Sequence, residues 1–464
     1  MITSSLTNRI VPMIKEVSPR VQQLINQLIN GIGQFGLFLF VFSVFFKERS
    51  FWYGVIFMGL AFILKLRPLK ILIRDPLFIF GLIFFFFVSI RGVDAIIEFA
   101  DYRDRILNRI FLYGCIFLLV FLVAFWMNEA KDKWHWFVFA LLAGFLMEII
   151  KRYEWANYTQ EFLLYWTGAK RAGFGATVNR FGLWSAIIFL GCVLLYKRVW
   201  GCSEDKFGYV IRILFWFMMC SVSAMGIVFS QSRAAWLASA LIIPLFFFYQ
   251  SYRAKRLKLK AIVFLAVFFI GISLLTNLPG SIEQRIISDM DGIEKLLNGT
   301  MDSEPAAMSG GIKSVDIRLQ MYSFFWEKWK ERPLFGYGPW VSEIMIKAAN
   351  DEYREISHYD HFHNLALDLL IQLGTVGLAL FIGCFFIIIR QLVLGKQRGE
   401  VDLDYYLFVL GGLALIFISA QFHQPFNSIK GLRAVGLLGG IGYASAFKRF
   451  DLDLSLAAGK APDS

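Results

Sequence analysis

Apolar runs close to the ~20 residues that carry a helix across a bilayer recur along almost the whole chain. About twelve can be drawn, over 29–46, 51–64, 77–90, 110–127, 136–150, 181–196, 208–229, 234–250, 261–277, 364–390, 405–421 and 432–447. No soluble domain of 464 residues has an interior able to hide so much apolar surface, since 57% of the chain is hydrophobic and 18% charged. The expected fold is therefore an all-α polytopic membrane protein of about 12 transmembrane helices.

The net charge of +12 points to membrane anchoring rather than nucleic acid, because the basic residues cluster in short loops between apolar runs. One such loop carries Lys65, Arg67, Lys70 and Arg74, and another carries Arg253, Lys255, Arg256, Lys258 and Lys260. Smaller sets are Lys131/Lys133, Lys197/Arg198, Arg390/Lys396/Arg398 and Lys448/Arg449. With twelve spans, every set falls on the side of the N-terminus, which predicts that both termini are cytoplasmic.

The expected organisation follows: a cytoplasmic N-terminal segment over 1–28, spans one to nine over 29–277, a large external loop over 278–363, spans ten to twelve over 364–447, and a cytoplasmic tail over 448–464. Val21, Leu24, Ile25, Leu28 and Ile29 recur at helical spacing behind Ser18-Pro19, an amphipathic helix suited to the membrane surface. The first apolar run starts late and lacks a cleavage site behind it, unlike a signal peptide. The loop contains the flexible piece NGTMDSEPAAMSGGIKS and expected short helices near 316–331 and 341–349. Cys115, Cys192, Cys220 and Cys384 fall in apolar runs and Cys202 in a short basic loop, so neither a disulfide framework nor a zinc site is expected.

Against this apolar background a few polar residues need an explanation. Arg233, in SQSR with Ser230 and Ser232 just ahead of it, sits at a turn between two spans, where it either snorkels or holds a phosphate. Arg318 opens an expected helix that ends in Pro333-Leu334-Phe335-Gly336-Tyr337-Gly338, a turn that also suits a plain surface helix. Lys170, Arg171, Asn179 and Arg180 precede one span and Arg433 begins the last, where each is an interface anchor or part of an anion site.

Three of the five histidines, His358, His361 and His363, crowd into SHYDHFHN at the foot of the tenth span. Two residues apart on a helix, His361 and His363 would point ~200° apart, which disfavours a shared metal and favours one imidazole acting alone as a base. The predicted topology puts Arg171, Arg233, Arg318, His363 and Arg433 on one external face. Several cations with one base suit an anionic substrate held in lipid, such as a lipid-linked pyrophosphate.

These residues resemble the O-antigen ligase and polymerase superfamily of bacterial envelope glycosyltransferases. The likeness lies in His363-Asn364, nine residues, then Gly374-x-x-Gly377, together with the SQSR arginine and IRLQMY…ERPLFGYG, and it covers roughly residues 170–390. The resemblance implies a C-type glycosyltransferase fold in the inner membrane, its site facing the periplasm at the large loop. It implies transfer of O-antigen from undecaprenyl diphosphate to lipid A-core, inverting and without metal or other cofactor. His363 would be the general base, and Arg233 and Arg318, with Arg171 and Arg433, would hold the pyrophosphate. Asn364, Asp368, His361, Ser232, Asn179 and Arg180 would support them.

A metal-dependent relative would need acidic residues in an external loop. Asp94, Asp101 and Asp104 are instead expected to pair with Arg91, Arg103, Arg105 and Arg109. O-antigen polymerase shares the motifs and differs in its acceptor. A protein O-oligosaccharyltransferase would carry a longer C-terminal extension than the roughly fifteen residues after the last run. A transporter of lipid-linked glycans would spread its charges along a path rather than gather them at one face.

Overall fold

The computed structural model describes residues 19–45, 48–65, 72, 74–130, 133–200, 206–253, 310–349, 351–422 and 429–448. Among them secondary structure is helical throughout, with no strand. Eight stretches are long and apolar enough to cross a membrane, and two shorter apolar helices, Arg49–Leu64 and Leu403–Ser419, accompany them. The chain is an all-helical, multi-pass membrane protein. The run expected over 261–277, residues 278–309 of the large loop, and the segments 1–18 and 449–464 lie outside the described residues.

The first half comprises α1 (Pro19–Phe42), α2 (Glu48–Leu64), α3 (Pro76–Glu98), α4 (Arg103–Gly114), α5 (Ile116–Glu129), α6 (Trp134–Arg152) and α7 (Tyr158–Trp166). Next come α8 (Val178–Trp200), α9 (Lys206–Ser230) and α10 (Arg233–Arg253). After the undescribed stretch follow α11 (Gly310–Glu331), α12 (Val341–Lys347), a 3-10 segment Asp351–His358, α13 (Leu365–Gln397), α14 (Leu403–Ser419) and α15 (Ile429–Tyr443).

The expected amphipathic helix does not stand apart from the first span: Pro19 starts one helix that runs unbroken to Phe42. Gln34 Oε1 accepts from Lys133 Nζ at 2.8 Å, so the α5–α6 turn meets α1 at that point. Residues 19–28 continue past it, with Val21, Leu24, Ile25 and Leu28 exposed. The run expected over 110–127 lies in one span, Ala100–Glu129, in which α4 and α5 meet at Cys115, whose N–H still donates to the Phe111 carbonyl at 3.1 Å.

Packing inside the bundle relies on small residues where hydrophobicity alone gives no preference between lipid and protein. On α15, a Cβ added at Gly440 would lie 2.4 Å from the Val123 side chain, so α15 and α5 approach closely. A second, smaller core sits over the bundle, where Met321, Phe324 and Phe325 of α11 meet Val341, Ile356 and Phe362 and reach down to Ala95 and Ile106.

Helix α13 joins the two cores and is broken in doing so. Gly374 has φ +67° and ψ −172°, outside helical values. A straight helix would separate Leu365 from Phe385 by about 30 Å. Yet Leu365 N–H donates to the Ala420 carbonyl at 2.9 Å, and the Phe385 ring lies 5.1 Å from Phe417 on the same end of α14. The bend at Gly374 turns the first half of α13 toward α14 and sets the position of the histidines before it.

Candidate active site

A helix break orphans backbone groups, and here the turn after α11 supplies their partners. Tyr337 and Gly338 N–H donate to the carbonyls of Ile371 and Gln372 at 2.8 and 2.7 Å. Thr375 and Val376 N–H donate to the carbonyls of Pro333 and Leu334 at 2.9 and 3.1 Å. The turn can enter because both sides lack a Cβ: one built on Gly374 would lie 2.2 Å from the Leu334 carbonyl oxygen, and one on Gly336 would lie 2.5 Å from that of Ile371. The Pro333–Gly338 turn is thus a plug for the α13 break rather than a plain surface stop. Arg91 holds it from below, donating to the carbonyls of Phe335 and Gly336 at 3.0 and 2.8 Å.

The first half of α13 begins with Asn364 as its cap. The Asn364 Oδ1 accepts from Ala366 N–H at 2.9 Å and Leu367 N–H at 3.3 Å. Its Nδ2 donates to Gln421 Oε1 at 3.2 Å, fastening the helix start to α14. One turn on, the fully buried Asp368 accepts from Phe362 N–H at 3.4 Å. Asn364 and Asp368 therefore hold the backbone on either side of His363, not its ring.

His363 occupies the left-handed region, φ +53°, which a residue with a side chain adopts only when its surroundings impose it. Its N–H donates to His361 Nδ1 at 3.0 Å. The segment is not helical, and the two rings lie 4.2 Å apart instead of on opposite sides, which corrects the expectation from spacing. Tyr359 packs edge-on against the other side of the His363 ring at 5.2 Å. His358, by contrast, is exposed at the end of the 3-10 segment.

Burial, and then the neighbouring Arg318 guanidinium, push the His363 imidazole down from 6.5 to about 4, against a weak opposing hydrogen bond to the Phe422 backbone. A position ahead of the α13 N-terminus disfavours the imidazolium in the same sense. Arg318 itself lies with its guanidinium carbon 5.8 Å from the Phe422 ring. His363, Arg318 and Phe422 thus form one cluster between the cap and the end of α14.

Arg233 reaches the same level by register. Helices α10 and α14 run antiparallel, with Gln250 Nε2 donating to Asp404 Oδ1 at 2.6 Å and Gly411 against Ile242. Continuing that register brings Arg233, the first residue of α10, level with Ala420, which accepts from Leu365. The SQSR turn is braced from the segment ahead of α8. Arg171 donates to the Ser230 and Gln231 carbonyls at 3.3 and 3.0 Å, and Gln231, at φ +48°, donates back to the Gly168 carbonyl at 3.0 Å. Ser232 Oγ accepts from Ala235 N–H at 3.3 Å, which makes it the cap of α10.

Other expected site residues lie elsewhere. Arg433 is fully buried, so it is not an interface anchor. It donates to the Ser43 carbonyl at 3.0 Å and stacks 4.5 Å above Phe51. Asn179 and Arg180 are half-buried in the first turn of α8. Of the expected pairings, Arg91 meets Asp94, but Arg105 pairs with Glu343 at 3.6 Å. Arg109 turns inward, stacking 4.7 Å from Trp340 and within electrostatic range of Asp368 and Arg180. Its place beside Trp340 and near Asp368 had no local signal, because those partners lie far along the chain, at the start of α12 and in α13.

Residues 217–382, from within α9 to the middle of α13, match the family model described as O-antigen ligase. Over that stretch the chain is similar to the O-antigen ligase family. The matched stretch contains Arg233, Arg318, the Pro333–Gly338 turn, His363 and Gly374. Within it, the Pro333–Gly338 turn and the Gly374 break are joined by backbone hydrogen bonds, and His363 lies just ahead of the same helix. No curated protein matches the chain.

Proposed function

We propose that this protein belongs to the O-antigen ligase superfamily and is an inverting glycosyltransferase that moves O-antigen from undecaprenyl diphosphate to lipid A-core. The reaction takes place at the periplasmic face of the inner membrane, on a twelve-span C-type fold with both termini cytoplasmic. His363 removes the proton from the attacking hydroxyl, and Arg233 and Arg318 hold the diphosphate and stabilise the charge that develops as it leaves. Diphosphate is a good leaving group, so neither a separate acid nor a metal is needed to release it.

The observation that carries this reading is the proximity of His363 to Arg318 in a strained, capped turn. An imidazole depressed to about 4 is unprotonated at neutral pH and always available as a base. It is also a weak base until the donor arrives. A diphosphate bound at Arg318 offsets the cation that helps keep the ring unprotonated, so donor binding raises the basicity of His363 as it brings in the electrophile. Asn364 and Asp368 position the base through the backbone, and Arg171 and Ser232 fix the turn that presents Arg233.

The test is transfer by purified protein from a lipid-linked O-antigen to lipid A-core in EDTA. Glycosylated lipid A-core supports the reading. A lengthened lipid-linked chain with lipid A-core untouched would make it a polymerase, and a strict requirement for a divalent cation would overturn the metal-free mechanism.

A further inference from the structure

The turn that plugs the α13 break carries two adjacent large apolar side chains that stay open, Leu334 at 58% and Phe335 at 51% exposure. A turn in water usually presents polar side chains and leaves its carbonyls to the solvent. Here Thr375 and Val376 N–H donate to the Pro333 and Leu334 carbonyls, and the Arg91 guanidinium donates to those of Phe335 and Gly336. Every carbonyl from Pro333 to Gly336 thus has a donor from the protein. Irregular backbone at membrane depth needs that condition, because acyl chains offer no hydrogen bonds.

The depth of the turn follows from the helices it touches. The Phe335 ring lies 6.4 Å from that of Phe87 on α3, and α3 starts at its cap Asp75, directly behind the charged Arg74. Phe87 stands about 18 Å along the helix from Asp75, and Arg91 about 24 Å. Hydrocarbon is ~30 Å thick, so a turn bonded to Arg91 and packed on Phe87 lies at acyl-chain depth. Glu98, about 34 Å from Asp75, stands beyond it, and there it pairs with Arg332 at 2.7 Å. On α13, Val376 stands about 30 Å from Lys396, which sets the Leu334 end of the turn at the same edge. Between Arg332 and Phe335 the chain passes from a charged boundary into the rim of the hydrocarbon.

The surface around the tip is already lipid-facing. A Cβ on Gly377 would lie 2.9 Å from the Phe87 ring, so α3 and α13 touch just below the turn. Beside that contact Ile83, Phe86 and Ile90 are exposed on α3, and Ile382 and Phe386 on α13. Both helices are long and apolar enough to cross a membrane, so these faces meet acyl chains. Leu334 and Phe335 stand at the loop-side end of both.

We propose that the Pro333–Phe335 turn is a membrane-inserted tip of the large loop, its partner the acyl chains of the leaflet on the loop side. Leu334 and Phe335 enter the lipid, while Arg91, Thr375 and Val376 keep the backbone above them satisfied. The leaflet thereby helps to seat the plug in the α13 break. The placement rests on α3, α13 and the turn alone, whatever reaction the chain performs.

The test reads depth by electron paramagnetic resonance. A nitroxide is attached to Leu334→Cys or Phe335→Cys in the full chain, its native cysteines replaced by alanine, in phosphatidylcholine nanodiscs. Ile90→Cys is the lipid reference and the exposed Glu355→Cys the aqueous one. Collision with oxygen relative to a water-soluble nickel chelate should match Ile90→Cys and exceed Glu355→Cys about tenfold, since the chelate is excluded from hydrocarbon. A ratio equal to that of Glu355→Cys would overturn the proposal.

A second measurement keeps the native cysteines, with a benzophenone amino acid in place of Phe335. Illumination should give phospholipid adducts, and adding Leu334→Asp should reduce them about fivefold, because a carboxylate resists hydrocarbon. Thermal melting confirms that each variant folds. Adducts to protein alone, or a yield that Leu334→Asp leaves unchanged, would contradict the tip. Since neither reading needs transfer, a chain that gives both yet moves no glycan would sink the function proposed above and leave the tip.

Discussion

Gly338 N–H donates to the carbonyl of Gln372 at 2.7 Å, tying a loop turn to a broken membrane helix 34 positions along the chain. Three further backbone bonds join the same two segments, and together they fix the bend of α13 that presents His363. The histidine therefore depends on a turn that is bonded to the helix behind it.

That dependence predicts a large effect from one methyl group. Gly374→Ala adds a Cβ where the Leu334 carbonyl carbon would stand at 2.3 Å, at a φ of +67° that disfavours a side chain. We expect a loss of about 2–4 kcal/mol, the combined cost of backbone strain and overpacking. Thermal melting in detergent reads it, with Gly383→Ala, which has open space around it, as the control expected to change little.

Asn364 separates capping from chemistry. If its work is to accept from the Ala366 and Leu367 amides, Asn364→Ala should cost about 1 kcal/mol, and Asn364→Ser or Asn364→Asp should recover most of it. Melting temperature and transfer rate should recover together. Recovery of stability without activity would assign Asn364 a direct part in the reaction.

The pH profile tests His363 and its cation. Protonation inactivates a base, so kcat/KM should rise with pH through the free-enzyme value of about 4, not 6.5. Arg318→Gln removes one cause of the depression and should move that acid limb upward, toward 6.5. The limb of kcat should lie above that of kcat/KM in the unmodified protein, because the bound diphosphate offsets Arg318. Coincident limbs would contradict the proposed coupling between donor and base.

Asp368 holds the Phe362 amide, one residue before His363. Asp368→Asn keeps an acceptor and should retain most activity, whereas Asp368→Ala should lower kcat by about tenfold or more with KM little changed, as expected for a misplaced base. A steady-state comparison of the two variants distinguishes positioning from substrate binding.

Much of the fold was legible because hydropathy and helical spacing are local. The apolar runs, α11 near 316–331 and α12 near 341–349 all follow from neighbours in sequence. Candidate residues stood out as well, since a lone arginine or histidine is conspicuous in an apolar chain. What stayed hidden was what touches them. Nothing near Pro333 says that its turn enters a break at Gly374, and Arg109 reads as a loop partner for aspartates until α12 and α13 fold over it. The spacing of His361 and His363 misled because a helix was assumed where φ of +53° bends the chain.

The central claim is that His363 is the base of a glycosyl transfer. Its most direct measurement is the transfer rate of His363→Ala from lipid-linked O-antigen to lipid A-core, on protein that melts like the unmodified chain. The account predicts a fall of about 10²–10⁴-fold with donor binding retained. A variant that transfers glycan at the unmodified rate would contradict it.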